Sequence, residues 1–352
     1  MQIKTQLTFN YISGRKEALL KKLVLLALVL ILTLACSQPA STSNGVASDA
    51  GLRVVGTVSP ITSLVENIGG TRIALNGLIP EGTNSHTYEP SPSTVSLLAK
   101  ADLIVANGLF LEVPTLKLAE ANKQSDTVIL RLGNTVLPES EWIYDESFPE
   151  GGYPNPHLWT DPFYGNKYAE VIALELSRLD PDNASYYEEN LSNLKTRLQD
   201  LHDRITAAVE TIPEDKRKLL TYHDSFPTFA PRYGFTTLGA IQPSDFTEPS
   251  AREVAQLIDQ IKANSVPAIF GSEVFPSPIL TQIAKESGAE FVDKLRDDDL
   301  PGKHGDKDHT YHGLIHYDIA VIVPALGGDP TSLEGFDTDL VFEGVSPAIY
   351  PE

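Results

Sequence analysis

Between Pro181 and Ile212 the chain carries no glycine, and after Pro181 no proline until Pro213. Tyr187, Leu191, Leu194, Leu198, Leu201, Ile205 and Val209 recur there at spacings of three and four. That period predicts one amphipathic helix of about eight turns, roughly 45 Å long. Alone, such a segment suits a coiled coil or a bundle. Its flanks decide otherwise, because on both sides short β-rich runs alternate with amphipathic helical stretches, the pattern of parallel-sheet α/β domains.

Before the helix, strands are expected at Leu52–Val58, Arg72–Ile79, Leu103–Ala106 and Thr127–Leu132. Ser91-Pro92 reads as an N-cap followed by proline at the first helical position. After the helix, strands are expected at Leu219–Tyr222, Thr236–Ile241, Ala268–Phe270 and Glu290–Val292, with helices at Ala251–Ala263 and Leu314–Leu326. The expected fold is therefore α/β with two lobes. Each is a four-stranded, mostly parallel sheet with flanking helices, and one long helix joins them. The lobes fall at 52–180 and 213–352, the linking helix at 181–212. The tail after Gly327 has no helical period and is free to wrap or to dangle.

The first segment reads as an address. Arg15, Lys16, Lys21 and Lys22 precede an apolar run from Leu23 to Leu34, too short to span a bilayer and matched to a signal-peptide core. Thr33-Leu34-Ala35-Cys36 then leads into a polar tether rich in Ser, Pro and Thr. This looks like a bacterial lipoprotein signal, with residues 1–35 removed, Cys36 lipidated and 36–51 serving as tether. Thr33 departs from the Leu usual at that position, and an ordinary secretory signal with an incidental cysteine is the alternative. Export follows from both, to the periplasm or the outer face of the cytoplasmic membrane.

Composition narrows the chemistry. The whole chain has 27 Lys and Arg against 47 Asp and Glu; without residues 1–35, 22 basic residues face 46 acidic ones, a net charge of −24. So acidic a surface repels phosphate backbones, and nucleic acid is not an expected partner. Cys36 is the single cysteine, which excludes internal disulfides, multi-cysteine zinc sites and iron–sulfur clusters. A metal site must use imidazole and carboxylate.

Ligand-binding groups in parallel α/β sheets collect beyond the C-terminal ends of strands. His86 follows the strand ending at Ile79, and His157 lies in the loop after Leu132. His223 directly follows a strand, and Asp293 closes Glu290-Phe291-Val292-Asp293. Three neutral imidazoles and one carboxylate suit tetrahedral Zn²⁺. Any one of these histidines alone would more often be a cap or a surface residue; four at matching positions carry the reading. Asp224 and Glu273 are rival carboxylates, the first as a helix cap, the second as a hydrogen-bond acceptor behind a ligand.

The segments around His86, His157 and His223, with Phe226-Pro227-Thr228-Phe229-Ala230-Pro231-Arg232-Tyr233-Gly234, Ala284-Lys285-Glu286-Ser287-Gly288 and Tyr317-Asp318-Ile319, carry a family resemblance. From about Leu52 to Leu326 the chain resembles the zinc/manganese-specific solute-binding lipoproteins of bacterial ABC importers, the cluster A-I type with a TroA-like fold. The resemblance implies a two-lobed binding protein that holds one metal ion in the interlobe cleft and hands it to a membrane permease driven by a separate ATPase; a monomer is expected. It places the ligands on His86, His157, His223 and Asp293. Manganese-type members carry Glu where His223 stands, so zinc is favoured over manganese or iron.

One departure concerns histidine placement. Zinc-specific relatives often have a long His-rich loop ahead of the second ligand, whereas here Gly133–Pro156 is acidic and lacks histidine. Histidines gather instead at His304, His309, His312 and His316. They read either as an accessory loop that collects or gates metal or as a solvated surface loop. An exported zinc hydrolase is the rival from another class. Against it stand a fourth ligand, which would close the site, and the absence of a His-Glu-x-x-His helix or Gly-x-Ser-x-Gly elbow.

Overall fold

Strands form where β-branched and aliphatic residues cluster, and helices where the apolar period lengthens. The computed structural model describes residues 51–144, 152–242, 249–272 and 278–351. In chain order the first half contains β1 (Leu52–Gly56), α1 (Ser59–Gly69), β2 (Ile73–Gly77), α2 (Pro92–Leu98), β3 (Leu103–Ala106), α3 (Val113–Asn122), β4 (Val128–Arg131), α4 (Leu132–Val136) and α5 (Pro162–Leu179). The long helix α6 (Ala184–Glu210) follows a 3-10 turn at Pro181–Asn183. Beyond it lie β5 (Lys218–Thr221), α7 (Phe229–Arg232), β6 (Thr236–Ala240), α8 (Ala251–Ala263), β7 (Ala268–Ser272), α9 (Pro278–Ser287), β8 (Glu290–Leu295) and α10 (Tyr311–Ala325).

Two four-stranded sheets result, ordered β2-β1-β3-β4 and β6-β5-β7-β8. Every pairing in both is parallel. All eight expected strands are present within a few residues, and the most consequential difference is at β8. It continues past Val292 to Leu295, so Asp293 pairs with Gly271 inside the strand and its side chain is exposed.

The apolar stripe of α6 is buried as its spacing requires: Tyr187, Leu194, Leu198, Leu201 and Ile205 are fully enclosed. This helix packs on α1, α5 and α10. One core runs from the first sheet through α6 to Phe270 and Val292 of the second sheet. A smaller core fills the space between that sheet and α8 and α9. Local chemistry sets the helix starts. Ser250 and Glu253 form a reciprocal capping box at α8, and the Asp161 carboxylate accepts from the Phe163 amide at α5.

The tail wraps. Arg204 donates to the carbonyls of Ser332 and Glu334, each at 3.0 Å, and the Val341 amide donates to Asn67 Oδ1 at 3.2 Å. Ile349 then pairs in parallel with Asn76, so the end of the chain lies along the edge of the first sheet, not the second. Among the described residues no helix is long and apolar enough to cross a membrane. Cys36, the apolar run before it and Glu273 lie outside the described residues.

Candidate metal centre

His86 and His157 reach their places through the same local device. Each is preceded two residues earlier by asparagine. The His86 amide donates to Asn84 Oδ1 at 2.9 Å, and the His157 amide donates to Asn155 Oδ1 at 3.0 Å. This Asn-x-His turn holds the loop so that the imidazole projects beyond the strand ends. His223 arrives differently, directly after β5, with its carbonyl taken by the Thr221 hydroxyl at 2.7 Å.

The three imidazoles converge. Nε2 of His157 lies 3.1 Å from Nε2 of His86 and 3.1 Å from Nε2 of His223. A tetrahedral ion with metal–nitrogen bonds of about 2.05 Å separates its donors by about 3.3 Å, so this spacing is close to one coordination edge. His157 and His223 are buried and His86 is half-buried. Trp159 packs on the His157 ring at a centroid distance of 4.9 Å.

The groups behind the imidazoles fix which nitrogen faces inward. Nδ1 of His157 is 2.8 Å from Asn155 Oδ1, an oxygen that can only accept. The proton therefore sits on Nδ1, and Nε2 keeps its lone pair. Nδ1 of His223 stands 2.9 Å from Asp297 Oδ2, the carboxylate–histidine arrangement that raises ligand basicity. Asp297 is anchored in turn by the Ser272 hydroxyl at 2.8 Å.

The structure does not bring Asp293 to the imidazoles. The strand runs on to Leu295, and of the three carboxylates that follow, Asp297 and Asp298 lie near His223. Together with His223 they form a second compact donor group. Asp298 Oδ2 accepts from Ser85 Oγ at 2.8 Å, while Oδ1 is buried with no hydrogen-bond partner. A buried carboxylate oxygen left in this way is costly unless a cation meets it. Sequence reasoning missed this pair, although Asp297-Asp298-Asp299 is a run of three carboxylates just past a strand. The repeated Asn-x-His was equally legible. Asp224 contributes its backbone carbonyl, which accepts from Asn155 Nδ2 at 2.8 Å and ties the His157 loop to the His223 loop.

Electrostatics separates the candidate ligands into two kinds. Burial, and then the neighbouring His223, push the His86 pKa down to about 3, and burial holds His157 well below its ordinary value. Burial also works against charge on His223, but Asp297, Asp298 and Asp224 outweigh it and raise its pKa. Burial and the adjacent Asp297 lift Asp298 to about 6. Asp297 is lowered: burial opposes its charge, and His223, Ser272 and Ser225 more than offset that.

The other histidines divide. His312 Nε2 donates to the Asp339 carbonyl at 2.8 Å and His316 Nε2 to the Leu333 carbonyl at 3.1 Å, so both hold down the tail. His304 and His309 sit beside Glu66 and Glu81 instead.

Comparisons with known proteins place the chain among metal ABC transporter substrate-binding proteins. The family model described as zinc-uptake complex component A, periplasmic, matches residues 54–325. The metal ABC transporter substrate-binding lipoprotein FimA of Streptococcus parasanguinis is 30% identical over 310 residues, covering 86% of this chain and 97% of FimA. The manganese ABC transporter substrate-binding lipoprotein PsaA of Streptococcus pneumoniae is 30% identical over 310 residues, with coverage of 86% and 97%. Among solved structures, the periplasmic zinc binding protein TroA from Treponema pallidum superimposes with a TM-score of 0.72 at 25% identity, covering 79% of this chain and 99% of TroA.

Proposed function

The chain belongs to the zinc-uptake complex component A family of metal ABC transporter substrate-binding proteins, and we propose that it binds one Zn²⁺ through His86, His157, His223 and Asp298. Asp297 orients His223 from behind and does not touch the ion. The observation that carries this is the approach of His157 Nε2 to the Nε2 atoms of His86 and His223, each at 3.1 Å, with Asp297 and Asp298 gathered at His223. Three imidazoles and one carboxylate favour borderline Zn²⁺ over the more oxygen-seeking Mn²⁺.

The ion is cargo. Four protein donors leave no open position for an activated water, which speaks against a hydrolase. An extracytoplasmic lipoprotein tethered at Cys36 would present the ion to an ABC permease and its ATPase. Manganese is the second reading, favoured by relatives such as PsaA whose names specify it. Calorimetric zinc titration, with manganese as competitor, tests the choice. A tight zinc equivalent lost in H86A/H157A, resistant to excess Mn²⁺ and without ester or peptide turnover, supports the proposal. Displacement by stoichiometric Mn²⁺ would reassign the cargo.

A further inference from the structure

The tail lies beyond residue 325, where the family match ends, and it is held at successive points along α6. The Asp329 amide donates to Thr211 Oγ1 at 2.7 Å, just past the end of that helix. Farther on, Arg204 donates to the carbonyls of Ser332 and Glu334, and Arg197 to those of Asp337 and Asp339. Asn193 donates to the Val341 carbonyl at 3.4 Å. These partners run from residue 211 back to residue 193, about 27 Å at 1.5 Å per residue. From α10, His316 and His312 donate to the carbonyls of Leu333 and Asp339. Leu333, Phe336, Phe342 and Ala348 are buried along the way.

The chain then reaches the first lobe. The Ile349 amide donates to the Leu75 carbonyl at 3.0 Å, and the Gly77 amide donates to the Ile349 carbonyl at 2.7 Å, both on the edge strand β2. Tyr350 sits between the lobes. Its hydroxyl donates to Glu66 Oε2 of α1 at 2.7 Å, and its ring lies 5.0 Å from each of the His304 and His309 rings. Glu66 draws in the same loop with its other oxygen. Its Oε1 faces His304 Nε2 at 3.7 Å, an attraction that raises the His304 pKa against partial burial. Nδ1 of His309 donates to the Pro301 carbonyl at 3.1 Å, which ties that ring to the start of its own loop.

The loop that Tyr350 backs is the one leaving Asp298. Just before Pro301, the Leu300 amide donates to Glu81 Oε1 at 3.3 Å, and the Gly82 amide donates to Asp299 Oδ2 at 2.6 Å. These bonds join the turn that carries Asp298 in the second lobe to the loop that carries His86 in the first. We propose that the tail is a strap across the two lobes, and that Tyr350 is a positioning residue for the metal site, holding these two loops together and slowing release of the bound ion. The proposal rests on the zinc reading above. A docked strap adds contacts that must break before the lobes part, so it acts on the departure of the ion and not on its arrival.

The test uses the full mature chain in wild type, Y350F and I349P. Y350F keeps the ring and loses the bond to Glu66. I349P removes the amide that pairs with Leu75, at a residue that is 61% exposed, so the core stays intact. Zinc release into excess chelator, followed by stopped flow, should be about three- to tenfold faster in each variant, the effect of one lost hydrogen bond. Association rate and stoichiometry should match wild type. Hydrogen exchange on the metal-free chain tests the strap without zinc. The Gly82 and Leu300 amides should exchange faster in I349P, while those of α8, which packs in the smaller core, keep the wild-type rate. Release as slow as wild type in both variants would overturn the proposal. So would unchanged exchange at Gly82 and Leu300, or faster exchange spread evenly over both cores, which would make the tail a general stabiliser only. A wild type that binds no zinc would overturn the proposed function and the role in release with it, while exchange still decides whether the strap holds the loops.

Discussion

Nδ1 of His223 and Oδ2 of Asp297 lie 2.9 Å apart, both side chains buried, at the junction of β5 and the turn after β8. The contact pins the ring so that Nε2 points at His157, and it places negative charge behind a prospective ligand. Replacing Asp297 by Asn keeps the shape and removes the charge, so zinc affinity should fall about 10- to 100-fold. D298A should cost more, because it deletes a donor and leaves the ion partly exposed. D293N, on the exposed face of β8, should leave affinity unchanged. Competition titrations against a chelator of known affinity rank the three. Equal losses in D293N and D298A would restore Asp293 to the site.

The contrast between Asp293 and Asp298 shows what the sequence carries. Period and composition were enough for eight strands, the long helix and three of the histidines, because these depend on local burial and on topology. The end of β8 was not legible. Val292-Asp293-Lys294-Leu295 mixes polar and apolar residues, and only pairing with β7 shows that the strand continues to Leu295. Likewise His304 to His316 read as one histidine cluster, yet the tail divides it. His312 and His316 hold backbone carbonyls from residues 333 and 339, contacts that no local pattern announces.

The proposed membrane attachment rests on a single thiol. Cys36 follows Ala35 at the end of the apolar run and is the only cysteine, so Cys36→Ala removes every site for thiol lipidation. The variant should move from the membrane fraction to the soluble fraction after cell disruption, with zinc binding intact. Intact-mass measurement of the wild type should show the added lipid, and membrane retention of the variant would point to an uncleaved signal.

Gly165 lies in α5 against the phenol of Tyr311. A methyl group there would overlap the ring and its oxygen, and Tyr311 is fully buried, with its hydroxyl donating to the Trp159 carbonyl at 2.7 Å. Gly165→Ala should destabilise the fold by about 1–3 kcal/mol, measured by denaturant unfolding. Because Trp159 follows His157 closely, zinc affinity should weaken slightly in the same variant. A neutral result would show that α5 shifts to accommodate the methyl.

Acidity should act on His223 and Asp298, not on the other two histidines. His86, with its pKa down at about 3, stays neutral at pH 5, and burial holds His157 toward the neutral form as well, so neither is the first to set a proton against zinc as pH falls. Asp298, lifted to about 6 by burial and Asp297, gains a proton as pH falls through that value. His223, whose raised pKa reflects its acidic neighbours overcoming burial, is protonated at still higher pH. A group that must release a proton to bind metal lowers apparent affinity about tenfold per pH unit below its pKa. Affinity should therefore be nearly flat at alkaline pH and fall with a slope of about one below the His223 pKa. Below pH about 6 the slope should steepen toward two. Calorimetry in buffers of different ionisation enthalpy counts the released protons directly. D298N should abolish the steepening near 6 and leave the His223 step in place. An affinity that does not change between pH 7.5 and 5 would contradict both assignments.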